Sequence, residues 1–261
     1  MTIPDDHPRA NSLKTREKVI EGMHAKIVAE AGLIAHGRGE AFDYLIGEKT
    51  PSNALNQEKA AVAMILLAEN PVISINGNVA VLCPEDLILL SELTGAPLEV
   101  NLFYNRAERE KIVANKLLNL GAEQILGIDA EYQTSIPELT HSRRVVDRRG
   151  IYSADVVFVP LEDGDRTTAL RKMGKKVITV DLNPLSRTSL WANVAIVNNV
   201  IRAIPEMIEI AKELKEQKQA ELEKIINVFD NSESLKITLT FISERLEKLA
   251  KDELKKLKNI D

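Results

Sequence analysis

Residues 180–189, VDLNPLSRTS, set Asp181, Asn183, Ser186, Arg187 and Thr188 directly behind the apolar Val177, Ile178 and Val180. A carboxylate at that point can accept from ribose hydroxyls or an adenine amino group, and an arginine can grip a phosphate through two parallel hydrogen bonds. An Asx-type turn containing Pro184, with Arg187 at the surface, is the plainer alternative. A second stretch of this kind is SINGNVA, 74–80, where Asn76, Gly77 and Asn78 follow one apolar run and precede another. Glycine lets backbone amides approach an anion, and a following helix N-terminus favours negative charge. The spacing is neither GxGxxG nor a Walker A loop, and an Asn-Gly turn accounts for it equally.

Three further clusters could do chemistry. Arg38 lies between Gly37 and Gly39, an exposed, mobile backbone suited to an arginine that closes over a phosphate. His36 beside it is a candidate base, though a lone histidine is more often a structural hydrogen-bond donor. HSRRVVDRRG, 141–150, packs Arg143, Arg144, Arg148 and Arg149 into seven residues of an acidic chain, which points to an anionic partner or to a solvated face. LEDGDR, 161–166, offers Glu162, Asp163 and Asp165; two such carboxylates could hold magnesium through water, or simply cap the helix that follows. Metal-ligating histidine clusters, a GxSxG elbow and a spaced Ser-His-Asp series do not occur. Trp191 reads as a packing residue.

These groups need a scaffold. PVISI, PLEVNLF, AEQILGI, ADVVFVPL, KVITV and VAIV are short apolar runs. Helical segments alternate with them over 84–93, 107–121 and 165–174, and the basic stretch 135–150 also reads as helix. Continuous apolar strands between helices predict a parallel sheet covered on both faces. The fold expected is a Rossmann-like, doubly wound α/β core over residues 71–200. An N-terminal helical portion, 1–70, precedes it. One helix there begins at Ser12 and fades near Gly32, the segment 35–53 reads as a shaped loop around Arg38 and then a short turn of uncertain type, and a second helix starts at Thr50–Ser52. Two C-terminal helices, 201–261, follow it, the second opening with a capping box from Asp230 and Glu233. Leu235, Leu239, Ile242, Leu246 and Leu249 form a heptad seam there, which fits a helix laid on the protein's own body better than a dedicated coiled coil. The three portions read as one compact domain.

The 261 residues are 44% apolar and 28% charged with net charge -5, the balance of a soluble globular protein and a poor match to a nucleic-acid coat. Cys83 is the single cysteine, so no intrachain disulfide forms and a reducing cytoplasm fits. AAVAMILLA, 60–68, is far short of the roughly 20 apolar residues that span a bilayer. The expectation is a cytoplasmic protein without membrane or nucleic-acid partners.

Taken together, HPRANSLKTREK, GLIAHGRGEAFDYLIGEKT, ISINGNVA, HSRRVVDRRGIYSADVVFVPLEDGDRTTALRKMGKKVITVDLNPLSRTS and NNVIRAIPEM resemble the archaeal phosphopantothenate synthetases, the 4-phosphopantoate–β-alanine ligases, from about His7 to Met207. The resemblance implies a homodimeric Rossmann-like ligase of coenzyme A biosynthesis. Such an enzyme joins 4-phosphopantoate to β-alanine, with ATP and Mg²⁺ consumed or required and AMP and diphosphate released. It further implies ATP contacts from Arg16, Arg38, Asp181, Leu182, Asn183, Arg187, Thr188, Asn198 and Asn199. Asn76, Asn78, Arg143 and Arg144 are the candidates for the substrate's own phosphate. The base that frees the β-alanine amine is not identified by the sequence, and neither are magnesium ligands. A non-catalytic nucleotide-binding regulator using the same strand ends is the competing reading.

Overall fold

Alternate residues of each central strand go to opposite faces, and both faces are buried. Ile73, Ile75, Val156, Phe158, Ile178, Val180, Val194 and Ile196 enter one apolar cluster, whereas Val72, Val157, Val159 and Val177 enter another. Period-two geometry makes this sorting automatic once helices cover both sides. In a computed structural model of the chain, the described residues are 4, 6, 7, 9–103, 106–161 and 164–256.

The chain opens with α1 (Ala10–His24), α2 (Glu30–Ile46) and α3 (Ser52–Leu66), then enters β1 (Pro71–Ile75). There follow α4 (Val79–Leu82), α5 (Pro84–Thr94), β2 (Leu98–Val100), α6 (Arg106–Asn119) and β3 (Ile125–Leu126). An excursion carries the antiparallel pair β4 (Gln133–Ser135) and β5 (Val145–Asp147). The chain then returns through β6 (Val156–Pro160), α7 (Gly164–Lys172), β7 (Lys176–Val180), α8 (Arg187–Trp191) and β8 (Val194–Ile196). It closes with α9 (Val200–Leu214), α10 (Gln219–Val228) and α11 (Asn231–Lys256). The main sheet is parallel throughout, in the order β3-β2-β1-β6-β7-β8. Strand order reverses direction between β1 and β6, and a crevice opens beyond the carboxyl ends at such a point. The expected doubly wound sheet is therefore present, with helical segments before and after it.

Four local expectations are corrected. The first helix stops at His24 rather than near Gly32, because Lys26 adopts a left-handed φ of 59° and turns the chain. Residues 35–46, read as a loop and then a short turn, are instead the greater part of α2. Glycine costs a helix about 1 kcal/mol each, yet α2 needs bare backbone where it packs: a Cβ on Gly32 would lie 2.4 Å from Asn78 Oδ1. Residues 135–150 are not helical; Val145–Asp147 pair with Gln133–Ser135, leaving a single 3-10 turn at Ser142–Arg144. The cause is tertiary. Buried Glu99 on β2 accepts from Asp147 N at 2.9 Å and Ile151 N at 2.6 Å, which fixes this segment in an extended path. Trp191, read as a packing residue, is 53% exposed, because the inner side of short α8 is filled by Thr188 and Ser189.

The C-terminal seam behaves as a helix on the protein's own body. Leu235 and Ile242 are buried, Leu246 is exposed, and Ile242 packs with Ile46 and Leu182. Of the capping box, Glu233 N donates to Asp230 Oδ1 at 2.8 Å, while the Glu233 carboxylate accepts from Lys236. Among the described residues no helix is long and apolar enough to cross a membrane.

Candidate active site

The carboxyl ends of β1 and β6, the start of α9 and the loop behind β7 meet the inner side of α2 around a cleft of about 980 Å³. Each wall has a local reason. Behind β1, Asn76 is buried and crosslinks the rim: its Nδ2 donates to Pro160 O at 2.8 Å, and its Oδ1 accepts from Asn78 N at 3.0 Å and Val79 N at 3.2 Å. Asn78 Nδ2 donates to Gly32 O at 2.9 Å, tying this loop to α2. Gly77 admits no side chain, since a Cβ there would lie 2.3 Å from Ile27 O. Arg109 from α6 lies in the same wall, donating to Ile27 O at 2.7 Å; burial holds its pKa below the ordinary arginine value.

The opposite wall is built on α9. Asn199 caps this helix, accepting from Ile201 N, and donates its Nδ2 to Asp43 Oδ2 at 2.7 Å. Arg202, one turn along, grips Asp43 through both terminal nitrogens, the shorter contact 2.5 Å. Its Nε donates to Asn198 Oδ1 at 3.0 Å. Asn198 is fully buried, and its Nδ2 faces Glu58 Oε1 at 3.0 Å, Glu206 Oε2 at 3.0 Å and Thr50 Oγ1 at 3.1 Å. Burial pushes the Glu58 carboxyl up to about 9, with Glu206 nearby adding to the rise and Asn198 opposing it. Glu58 is therefore a neutral acid at neutral pH.

Along α2, Glu40 binds Arg16 of α1 through both carboxylate oxygens, with Arg16 Nη2 to Oε2 at 2.7 Å. Ser12 also donates to Glu40, and Tyr44 donates to it at 3.3 Å. Burial works to raise the Glu40 pKa, but these donors outweigh it and hold the carboxylate below its usual range. His36, half-buried and one turn before Glu40, has its pKa lowered, chiefly by burial.

The residues singled out in the sequence divide on this geometry. Arg38, Leu182, Asn199, Asn76, Asn78 and Arg143 line the cleft. Arg16 reaches it through Glu40, and Asp181 sits close enough to Arg38 to feel its charge. The VDLNPLSRTS loop bonds heavily to itself: Asp181 accepts from Asn183 N and the Ser186 hydroxyl, Asn183 Oδ1 accepts from Leu185 N, and Ser186 caps α8. That explains most of its polar density as Asx turns and a helix cap. Burial raises the Asp181 pKa. Arg187 is 65% exposed and paired with Asp165 at 2.7 Å; Thr188 and Asn198 are buried and do not line the cleft. Arg143 is buried at the cleft wall, its guanidinium 5.9 Å from the Phe103 ring centre, whereas Arg144 is exposed and is not among the residues that line the cleft. Arg149 sits over Tyr132 and pairs with Asp147 and Asp129, and Arg148 bonds Glu131 O, so neither belongs to the cleft. Glu162 and Asp163 lie outside the described residues.

Sequence reasoning missed Glu40, Asp43, Arg109 and Arg202. A signal for the last existed: Asn199 and Arg202 are three apart, so a helix cap and the next turn face one way. Nothing local announced that Asp43 would answer them from a helix more than 150 residues earlier. Among the described residues no group of three His, Cys, Asp or Glu side chains converges on a possible metal position.

Residues 53–245 match the family model for phosphopantothenate/pantothenate synthetase. The chain is 52% identical over 260 residues to the 4-phosphopantoate–β-alanine ligase of Thermococcus onnurineus, covering 99% of each chain. It is 52% identical over 262 residues to the enzyme of the same name from Thermococcus kodakarensis, covering 100% of both. To that from Methanosarcina mazei it is 50% identical over 248 residues, 95% of this chain and 97% of the relative.

Proposed function

Because the chain belongs to the phosphopantothenate/pantothenate synthetase family, we propose that it condenses 4-phosphopantoate with β-alanine. ATP is cleaved to AMP and diphosphate, and the product is 4'-phosphopantothenate, on the route to coenzyme A. The observation that carries this reading is 52% identity over essentially the full length to proteins named as ligases, in a chain whose sheet rim opens into an arginine-lined cleft. The competing regulator is not favoured, since the relatives that match over 99–100% of both chains are named as ligases.

A carboxylate is a poor electrophile, so activation comes first. Attack of the 4-phosphopantoate carboxylate on the α-phosphorus of ATP expels diphosphate and gives a phosphopantoyl adenylate with AMP as leaving group. Arg16, Arg38, Asp181–Asn183 and the Asn198–Asn199 turn hold the nucleotide; Arg187 and Thr188, which do not line the cleft, are assigned to it on the family resemblance alone. Since the Asn198 side chain is wholly engaged below the surface, its part is to set the backbone and Asn199. Arg143, with the Asn76–Asn78 loop, takes the phosphate of 4-phosphopantoate. Fixed positive charge at the cleft wall stabilises the charge that builds on the phosphates, without reorganisation at the moment of reaction. Magnesium is assigned to the triphosphate it travels with; the described residues build no carboxylate cage for it, and Asp165 is committed to Arg187.

The protein is further proposed to be cytoplasmic and a homodimer; exposed Leu185, Leu190 and Trp191 support a subunit contact. Incubation with ATP, Mg²⁺, β-alanine and either 4-phosphopantoate or pantoate tests the activity. Product of phosphopantothenate mass with stoichiometric AMP, from the phosphorylated acid only, is expected; ADP or no amide product overturns it.

A further inference from the structure

β-Alanine arrives as an ammonium ion, with a pKa in the range of a lysine side chain, about 10.4, and only the free amine can attack the adenylate. Some group in the cleft must take that proton. Among the described acidic and imidazole side chains that line the cleft, most are already committed. Glu40 is held by Arg16 and held below the usual carboxylate range, and Asp43 is gripped by Arg202. Glu48 is exposed beyond the end of α2, and His7 accepts from Arg9 N at the chain's start.

His36 is different. It is four residues after Gly32, whose carbonyl accepts from Asn78, and four before Glu40, which holds Arg16. On a helix those three positions share one face. The imidazole therefore stands between the Asn76–Asn78 loop, where the acid's phosphate is placed, and the arginine placed on ATP, which is where the activated carboxyl carbon must lie. We propose that His36 is the general base that removes a proton from the β-alanine ammonium in the ligation step; this rests on the ligase reading above.

The charged and titratable groups around the same space are His7 and Arg9 ahead of α1, Arg16 on α1, Arg38, Glu40 and the Asp43–Arg202 pair, Glu48 beyond α2, Arg109 and Arg143. Burial leads in lowering the His36 pKa, Glu40 opposes it and Arg16 adds to it, so the imidazole is neutral and able to accept at neutral pH. The step balances as follows. The ammonium gives one proton to His36, and the freed lone pair forms the C–N bond at the acyl carbon. The tetrahedral nitrogen gives its second proton to the departing phosphate as the C–O bond to AMP breaks. The products are the amide, AMP and an imidazolium that returns its proton to water.

The test uses the full-length protein and His36→Gln. Diphosphate exchange into ATP, dependent on 4-phosphopantoate and run without β-alanine, reads adenylate formation; it is expected to stay within about threefold of wild type. The kcat/KM for β-alanine is expected to fall by roughly 10²-fold, and the acid limb of its pH profile to disappear. Hydroxylamine, already unprotonated at neutral pH, is expected to trap the adenylate at equal rates in both proteins. Equal loss in exchange and ligation, or a variant as fast with β-alanine as wild type, overturns the assignment of His36. Absence of exchange in the wild type overturns the adenylate reading itself, and the assignment with it.

Discussion

The side-chain amide of Asn198 is turned away from the cleft and donates to the buried carboxyl of Glu58 at 3.0 Å. One residue later, Asn199 faces the cleft and reaches Asp43. Two adjacent asparagines thus divide the work: the first fixes the turn from beneath, and the second is presented on it. Gln57 completes the support by accepting from Val197 N at 2.8 Å.

Asn198→Ala should act first on stability. It strips Glu58, Glu206, Thr50 and Arg202 of a shared partner in a buried setting, a loss of about 2–3 kcal/mol. Thermal unfolding is expected to drop by roughly 5–10 °C. A variant with normal unfolding but a raised KM for ATP would show instead that this amide touches the nucleotide.

Glu58 makes stability depend on pH. Unfolded, its carboxyl titrates near 4.3; folded, burial pushes it up to about 9. Between those values the folded chain holds a proton that the unfolded chain has lost, so the contribution of Glu58 to stability declines as pH rises through this window. Glu58→Gln keeps the shape without titrating. Compared by urea unfolding at pH 5, 7 and 9, the variant should gain on wild type with rising pH, with a limiting slope of about 1.4 kcal/mol per pH unit. A pH-independent difference would place the Glu58 pKa back in the ordinary range.

Glu40 clamps the Nε and Nη2 edge of Arg16. Rigid presentation of an arginine saves the ordering cost that a free side chain incurs on binding. Glu40→Gln is therefore expected to raise the KM for ATP about tenfold, or ~1.4 kcal/mol, with the KM for β-alanine unchanged. A lower KM for ATP in steady-state assays would mean that Glu40 competes with the nucleotide for Arg16.

Arg143 and Arg144 are neighbours in sequence with different surroundings. Arg143→Ala should raise the KM for 4-phosphopantoate by roughly 10- to 100-fold, the scale of a lost charge-assisted phosphate contact, and spare that for ATP. Arg144→Ala should leave both within about twofold. Equal effects from the two substitutions would remove Arg143 from its proposed role.

The sheet was readable in the sequence because buried parallel strands are written as unbroken apolar runs: PVISI, VVFVP and KVITV lie where the pattern put them. The strand-end rule likewise found Asp181 and Asn76 without any partner in view, since it needs only the strand and its direction. It failed where a residue's setting came from far along the chain. Glycines at 37 and 39 read as loop because local propensity counts their entropy but not the packing of Gly32 on Asn78. The basic stretch at 141–150 read as helix because Glu99, which draws Asp147 and Ile151 into an extended path, lies more than 40 residues earlier.

Sequence alone determined the alternation of strands and helices, the rim on which chemistry would gather, and the residue types available there, because each is a property of local pattern and chain direction. Tertiary structure decided which side chains face the cleft. Arg143 lines it and Arg144 does not, Asn199 is presented and Asn198 is sealed, and His36 is left between a loop and an arginine. A side chain's accessibility and protonation are set by neighbours brought in across long loops, and no window of sequence contains them.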